Sequence, residues 1–183
     1  MFEELLVALD QALRAAGIAY MVIGGQAVLR YGEPRMTKDI DLTLRLGPDE
    51  LPRVRAALAP LGLDDLVDDP KSFVERTMVL PLRHLASGVR VDLVFSFSPY
   101  EYEAIDAAVT LPAGTGSARF ARPEDLIIHK VFAGRPRDLE DVRHILNHQL
   151  VLNRNYIKVR LSELSAVALV DLVQRFAECD RHH

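Results

Sequence analysis

Cysteine and tryptophan are the rarest side chains of this protein, with one cysteine, Cys179, and no tryptophan among 183 residues. A single cysteine excludes an internal disulfide and a cysteine-based zinc cluster. No apolar run approaches the length of a membrane span. The first fifteen residues are typical of an acidic amphipathic helix rather than of a signal peptide. We therefore expect a cytoplasmic protein with no membrane partner.

An excess of positive charge is also missing, because 22 lysine and arginine residues face 26 aspartate and glutamate residues, for a net charge of −4. This balance gives no support to nucleic-acid binding through general basicity, although it leaves a local basic patch open. Hydrophobic residues make up 49% of the chain and charged residues 26%, which is ordinary for a globular protein. The length suits one domain with at most a small appendage.

The order of the predicted elements favours an α/β fold that is followed by a helical part. Helical patterns cover "MFEELLVALDQALRA", "QAVLRYG", residues 48–61 and "PYEYEAIDAAV". Strand patterns lie in "IAYMVI", "DIDLTLRL", "RTMVLPLRH" and "VRVDLVFSF". We interpret "LDDLVDDPK" as turn and "TLPAGTGSARFA" as loop and edge strand, with helix from Arg122 onward. We therefore expect a core over residues 1–121 and a helical part over residues 122–183 packed on it.

Two aspartates, Asp39 and Asp41, alternate with apolar residues in "DIDLTLRL" and so share one face of the predicted strand. Their Cα atoms should lie about 6.5–7 Å apart, close enough for the carboxylates to repel each other unless a cation compensates. Oxygen ligands at this spacing suit Mg²⁺, and Asp92 has the right strand context for a third carboxylate. The alternative is a solvated strand face, which is the commoner meaning of an Asp-x-Asp pattern.

A glycine pair, Gly24 and Gly25, follows the first predicted strand and opens a helical segment. Glycines at this place let backbone N–H groups approach an anion, and the helix adds its positive end. A plain tight turn explains the pair equally well. The combination of a phosphate cradle with a carboxylate pair shortly afterwards is less common than either pattern alone.

The stretch "VIGGQAVLRYGEPRMTKDIDLTL" resembles the signature of the nucleotidyltransferase superfamily that includes DNA polymerase β. It is most similar to small bacterial and archaeal nucleotidyltransferase-like proteins related to AbiE-type toxins. The resemblance implies a mixed sheet flanked by helices, with the third carboxylate on a later strand, at Asp92 in "VRVDLVF". It departs from the most active members at Gln26, where they carry serine or threonine.

A second segment, "EDLIIHKVFAGRPRDLEDVRHIL", is similar to the second motif of the AbiE-type proteins, at Lys130, Ala133, Arg137 and Asp138. The resemblance implies a phosphate contact for Lys130 and a functional role for Asp138. Two alternatives stay open, because a helical lysine is normally solvated and Asp138 could be the N-cap of the next helix.

The resemblance implies an enzyme that moves a nucleoside monophosphate from an NTP to a hydroxyl of RNA, such as a tRNA end, or of a protein. Mg²⁺ or Mn²⁺ would be held by Asp39, Asp41 and Asp92. The nucleotide would contact Gly24, Gly25, Gln26, Arg35, Thr37 and Lys130. An antitoxin is the implied protein partner. The alternatives are a catalytically silent fold that binds a nucleotide or a partner, and an interaction protein whose aspartates face solvent.

Overall fold

The computed structural model describes residues 2–33, 37–149 and 151–181. Their fold is a mixed α/β arrangement, as predicted. The chain divides into two compact units, the first formed by Met1–Gln26 with Thr37–Ala121 and the second by Ala27–Met36 with Arg122–His183. The predicted domain limits at residue 121 stay a prediction. Within the described ranges, no helix is both long enough and apolar enough to cross a membrane.

Twelve of the described helices and strands precede residue 122. The helices are α1 Phe2–Ala15, α2 Gly24–Tyr31, α3 Leu51–Leu58, α4 Pro70–Thr77 and α5 Pro99–Asp106. The strands are β1 Tyr20–Ile23, β2 Asp39–Leu44, β3 Leu63–Asp65, β4 Val79–His84, β5 Arg90–Phe95, β6 Val109–Ala113 and β7 Gly116–Phe120. Short 3₁₀ turns, Pro48–Glu50 and Ala59–Leu61, flank α3, so the predicted helix 48–61 is present with tightened ends.

The seven strands form one sheet in the order β3-β4-β5-β2-β1-β7-β6. The centre of the sheet is the parallel pair of β2 and β5, whose paired residues are 51 positions apart in the chain. β1 joins the other edge of β2 in the antiparallel sense, and β4 joins β5 likewise. The sheet is therefore mixed, and its two central strands are the ones that carry the predicted carboxylates.

Hydrophobic alternation fixes the register of the two central strands. In β2 the side chains of Ile40, Leu42 and Leu44 are fully buried, and in β5 those of Val91, Leu93 and Phe95 are fully buried. Complete burial of such a side chain stabilises the fold by about 1.5–3 kcal/mol. A slip of either strand by one residue would turn all three of its apolar side chains away from the core. The opposite face of both strands is fixed by the same packing.

Two segments differ from the sequence-based expectation. The stretch interpreted as turn contains β3 and the start of α4, whose N-cap Asp69 accepts a hydrogen bond from the backbone N–H of Ser72 at 3.1 Å. The stretch interpreted as loop and edge strand is a complete hairpin of β6 and β7. In that hairpin β6 is the edge, whereas β7 lies inside the sheet beside β1. A hydrophobic pattern does not reveal the hairpin, because Pro112 interrupts β6 and the small residues Gly116, Ser117 and Ala118 begin β7.

The second unit is helical after Arg122, as predicted. Its elements in that region are α6 Pro123–Ala133, α7 Pro136–His148, α8 Arg154–Ala168 and α9 Leu172–Asp180. Each of the four helices contributes fully buried apolar side chains to the core of this unit, among them Ile127, Ile145, Leu161 and Phe176. Gly134, with φ of +65°, ends α6 in the left-handed conformation and lets α7 begin two residues later.

Candidate active site

The three predicted carboxylates lie on one face of the two central strands. Asp39 and Asp41 are the first and third residues of β2, and Asp92 is the third residue of β5. Asp41 pairs with Asp92 across the parallel register, and Asp39 pairs with Arg90. Because neighbouring strands are about 4.8 Å apart and side chains alternate between faces, three carboxylates and one guanidinium start from one small area of the sheet.

Arg90 binds the third of these carboxylates. Its Nε atom donates to both oxygens of Asp92, at 2.9 and 3.0 Å. The Asp92 side chain is 19% exposed and that of Arg90 is 49% exposed. Among the residues that the structure describes, no three acidic, histidine or cysteine side chains are grouped so that they could hold a metal ion.

All three carboxylates of this face affect the pKa of Arg90. The hydrogen bond to Asp92 raises the pKa of the guanidinium above its ordinary value, and the charges of Asp92, Asp39 and Asp41 add to that increase against an opposing effect of burial. One cation therefore lies in the field of all three carboxylates. Sequence reasoning missed Arg90, although its position two residues before Asp92 in a strand puts both side chains on the same face.

Gly24 makes room for the second carboxylate. It is the first residue of α2 and has φ of +63°, a conformation that favours glycine. A Cβ atom built on it would lie 1.9 Å from Oδ2 of Asp41. Ile23, the residue before it, is paired with Asp41 across β1 and β2. The glycine is therefore required by the position of a carboxylate as well as by the turn between β1 and α2.

Three further residues predicted to bind the nucleotide lie in the first turn of α2 or just before β2. Gly25 is buried and Gln26 is half-buried, both in the first turn of α2. Thr37 precedes β2, and its hydroxyl donates to the backbone carbonyl of Asp39 at 3.3 Å. Arg35 lies outside the described residues. The roles predicted for these residues in nucleotide binding stay predictions.

Lys130 in α6 is buried, with 6% of its surface exposed. Its Nζ atom lies 3.1 Å from Oδ1 of Asp138 and 2.7 Å from Oδ2 of Asp141, both in α7. Arg135 also donates to Asp138, at 2.6 Å. The alternative of a solvated lysine is therefore wrong, because Lys130 is buried and two carboxylates compensate its charge inside the second unit. The phosphate contact predicted for Lys130 stays a prediction.

Asp138 is in the first turn of α7 but is not its N-cap. The N-cap is Arg135, and Pro136 is the first helical residue. Proline suits this position because it has no N–H group to satisfy there. Burial acts to raise the pKa of Asp138, but the hydrogen bond from Arg135 and the charge of Lys130 outweigh it and hold the pKa below its ordinary value. The side chain is thus an ionised partner in the Lys130 cluster, not a helix cap.

Solved structures share this fold at low sequence identity. A nucleotidyltransferase-like protein from Paracoccidioides brasiliensis, described as antigenic, has a TM-score of 0.57 and 17% identity over 96% of this chain and 91% of that chain. The antibiotic-resistance factor ANT(2'')-Ia has a TM-score of 0.62 and 15% identity over 99% and 96% of the two chains. The lincosamide antibiotic adenylyltransferase LnuA, bound to lincomycin, has a TM-score of 0.52 and 14% identity over 80% and 97%.

No curated protein sequence matches the chain. A family of sequences does, over residues 8–174. That range includes the glycine turn at Gly24, the carboxylates of β2 and β5 and the Lys130 cluster of α6 and α7. The chain belongs to the nucleotidyl transferase AbiEii toxin family of type IV toxin–antitoxin systems, and it is a nucleotidyltransferase by that membership.

Proposed function

We propose that the protein transfers a nucleoside monophosphate from an NTP to a hydroxyl group of an RNA or a protein, with Mg²⁺ or Mn²⁺ as cofactor. The observation that carries this proposal is the register of the central strands, which sets Asp41 beside Asp92 and puts Asp39 on the same face. Phosphoryl transfer is catalysed mainly by positioning and by charge, and such a face can supply both through bound cations.

The donor set fits a divalent cation of the magnesium type. All three candidate ligands are carboxylates, and Mg²⁺ prefers oxygen ligands and binds through only a few of them. Like charges on adjacent strands repel each other, so a cation between them is electrostatically favoured. Asp39 and Asp41 would hold the metal ion that binds the triphosphate. Asp92 would contribute, together with them, to holding a second metal ion. The metal would supply charge neutralisation of the phosphates and alignment of the reacting oxygens.

The chain's own groups would bind and orient the substrates. The backbone N–H groups of Gly24 and Gly25, at the start of α2, would donate to the β- and γ-phosphates. Gln26 would add an amide donor, and Thr37, just before β2, is a further candidate for phosphate contact. Asp92 would accept the proton of the acceptor hydroxyl. The new bond forms between that oxygen and the α-phosphorus, while the bond to the bridging oxygen breaks and pyrophosphate leaves with its electron pair.

More than one class of molecule could supply the hydroxyl that accepts the nucleoside monophosphate. A tRNA end or a protein side chain would suit a toxin, and an antitoxin would be the partner in the cell. Two of the solved structures with this fold are described through antibiotics, ANT(2'')-Ia as an antibiotic-resistance factor and LnuA as a lincosamide antibiotic adenylyltransferase bound to lincomycin. Identities of 15% and 14% to these proteins show the fold alone. An antibiotic is therefore included below only as an additional acceptor.

The test is transfer of radiolabel from each of the four α-labelled NTPs, with Mg²⁺, to total RNA, to lysate protein or to an aminoglycoside. We expect label in RNA or protein with the unmodified chain. Asp41→Asn should lower the rate by about a hundredfold or more, because the carboxylate supports charge in the transition state. Asp64→Asn, an exposed carboxylate of β3, is the matched control and should retain the full rate. Absence of label from every NTP in RNA and protein would contradict the proposal.

A further inference from the structure

We propose that Arg90 is the resident counter-cation of the acidic face, which is formed by Asp39, Asp41 and Asp92, and that a divalent cation must displace it from Asp92 to complete the site. The inference rests on the proposed function, since it concerns the same carboxylates. It assigns Arg90 as a positioning residue that holds Asp92 while no metal is bound and limits the affinity for metal.

The first support is geometric. Both oxygens of Asp92 accept from one Nε atom at 2.9 and 3.0 Å, so each is engaged on the side where the guanidinium lies. A metal that binds Asp92 needs a lone pair of at least one of those oxygens and brings a second positive charge to the same small volume. Two cations at one carboxylate repel each other. Metal binding to Asp92 is therefore expected to release the guanidinium.

The second support is the charge around Arg90. Its partner across the parallel register is Asp39, and Asp41 lies beside Asp92 one pair further along. Arg90 therefore starts from the same face of the sheet as all three carboxylates. On the other side, Arg83 of β4 is paired with Arg90 in the antiparallel register. Arg90 is thus held by the acidic face as a whole.

The third support is the exposure of the two side chains. Arg90 is about half exposed, with 49% of its side chain accessible, whereas Asp92 is only 19% exposed. A long, half-exposed side chain can leave the carboxylate for solvent without disturbing the core, since the buried residues of β5 point to the other face. Release of Arg90 therefore requires a rotamer change and no movement of the sheet.

The experiment compares the affinity of Mn²⁺ for the full chain and for Arg90→Gln by isothermal titration calorimetry. We expect Arg90→Gln to bind Mn²⁺ about three- to tenfold more tightly, because the metal no longer competes with a salt bridge. The same variant should melt at a lower temperature without metal, because Asp92 then lacks the guanidinium that binds both of its oxygens. An arginine with a merely structural role would lower stability without raising the affinity. Equal or weaker binding of Mn²⁺ to Arg90→Gln would overturn the inference.

Two matched controls separate displacement from general effects of charge. Arg55 binds both oxygens of Asp65 at 2.6 Å with similar exposure, 43% and 27%, so Arg55→Gln removes an equivalent ion pair elsewhere in the first unit. Arg83→Gln removes a charge beside Arg90 without breaking the Asp92 pair. Both should leave the affinity for Mn²⁺ within about twofold of the unmodified chain. A gain in Arg83→Gln equal to that of Arg90→Gln would show long-range charge instead of displacement.

A measurement on the unmodified chain avoids dependence on a variant that folds poorly. The Nε–H resonance of Arg90 should be protected by the Asp92 pair in the ¹H–¹⁵N spectrum and should shift or disappear by exchange as Mg²⁺ is added. A resonance that is unchanged at saturating Mg²⁺ contradicts displacement. If the unmodified chain binds neither Mg²⁺ nor Mn²⁺ at millimolar concentrations, the proposed function itself fails, which is a different outcome from metal binding that leaves Arg90 in place.

Discussion

Two features of the structure together require a glycine at position 24. Its φ of +63° lies in the left-handed region, and the carboxylate of Asp41 occupies the place where a side chain would begin. The glycine therefore fixes how closely the turn after β1 can approach β2. The absence of a Cβ atom at this one position brings the backbone of the turn against the carboxylate of Asp41.

We predict that Gly24→Ala loses more stability than Gly62→Ala, its matched control. Gly62 has φ of +62° and nothing within 4 Å of the Cβ position, so it isolates the backbone effect. Both variants should lose about 1–2 kcal/mol from the left-handed conformation. Gly24→Ala should lose about 1–3 kcal/mol more, because its methyl group must displace Asp41. Urea unfolding measures both changes. Equal losses of unfolding free energy would show that Asp41 can move away from the added methyl group without destabilising the protein.

The buried Lys130 gives a second prediction. Lys130→Ala leaves Asp138 and Asp141 as buried carboxylates without their common ammonium partner. Removal of one member of a buried ion pair typically costs about 3–5 kcal/mol. Lys158→Ala in α8 removes an exposed lysine and should change the free energy of unfolding by less than about 0.5 kcal/mol. Similar unfolding curves for the two variants would mean that the ion pairs of Lys130 contribute nothing to stability.

The free energy of unfolding should depend on pH through Asp138, which links α7 to Lys130 of α6. The pKa of this carboxyl in the folded protein lies below its ordinary value of 3.8, because the hydrogen bond from Arg135 and the charge of Lys130 outweigh burial. A lowered folded pKa stabilises the protein above the ordinary value, and this stabilisation is lost as the pH falls through the folded pKa. The ionised form of Asp138 thus supports the helix pair at neutral pH.

We therefore predict that the difference in unfolding free energy between the unmodified chain and Asp138→Asn is constant from pH 7 to about pH 5. It should shrink as the pH falls below the ordinary carboxyl value, since protonation then removes the charge that asparagine lacks. Urea unfolding at a series of pH values checks this. The contributions of the other titrating groups are the same in the two proteins and cancel in the difference of their unfolding free energies. If the difference in unfolding free energy stays constant into the acid range, the ionised form of Asp138 does not stabilise the protein.

The elements could be predicted where the local pattern is strong. The alternation in β2 and β5 identified both strands and the face of each carboxylate, because one face of each is completely buried. The short β3 and the start of α4 were missed since charged residues dominate their sequence. The pairing of β2 with β5 depends on packing between segments whose paired residues are 51 positions apart in the chain. It could be predicted only through the resemblance to a known fold, and the Arg90–Asp92 pair was overlooked within it.

The burial of Lys130 illustrates the same limit in the helical unit. The sequence places a lysine in an apolar helix, where solvation is the ordinary outcome. Only the packing of α7 against α6 brings Asp138 and Asp141 to its ammonium group. Propensity and spacing within α6 do not contain that information. The partner helix decides whether the lysine is solvated or paired.

The chain as a whole carries a net charge of −4, so its overall field does not attract a nucleoside triphosphate or an RNA. In the proposed mechanism, substrate binding would therefore depend on local cations, which the acidic face would supply through bound metal. Membership of the nucleotidyl transferase AbiEii toxin family is consistent with a site of this kind. The metal is therefore the part of the proposed mechanism on which binding and chemistry both depend.

Anomalous scattering from crystals grown with Mn²⁺ and a non-hydrolysable NTP analogue tests this most directly. We expect an anomalous peak at coordination distance from oxygens of Asp41 and of at least one of Asp39 and Asp92, with the triphosphate also bound to the metal. Arg90 should then be separated from Asp92. A bound nucleotide with no peak at these carboxylates, or with Mn²⁺ held by other residues, would contradict the assignment of the acidic face as the catalytic metal site.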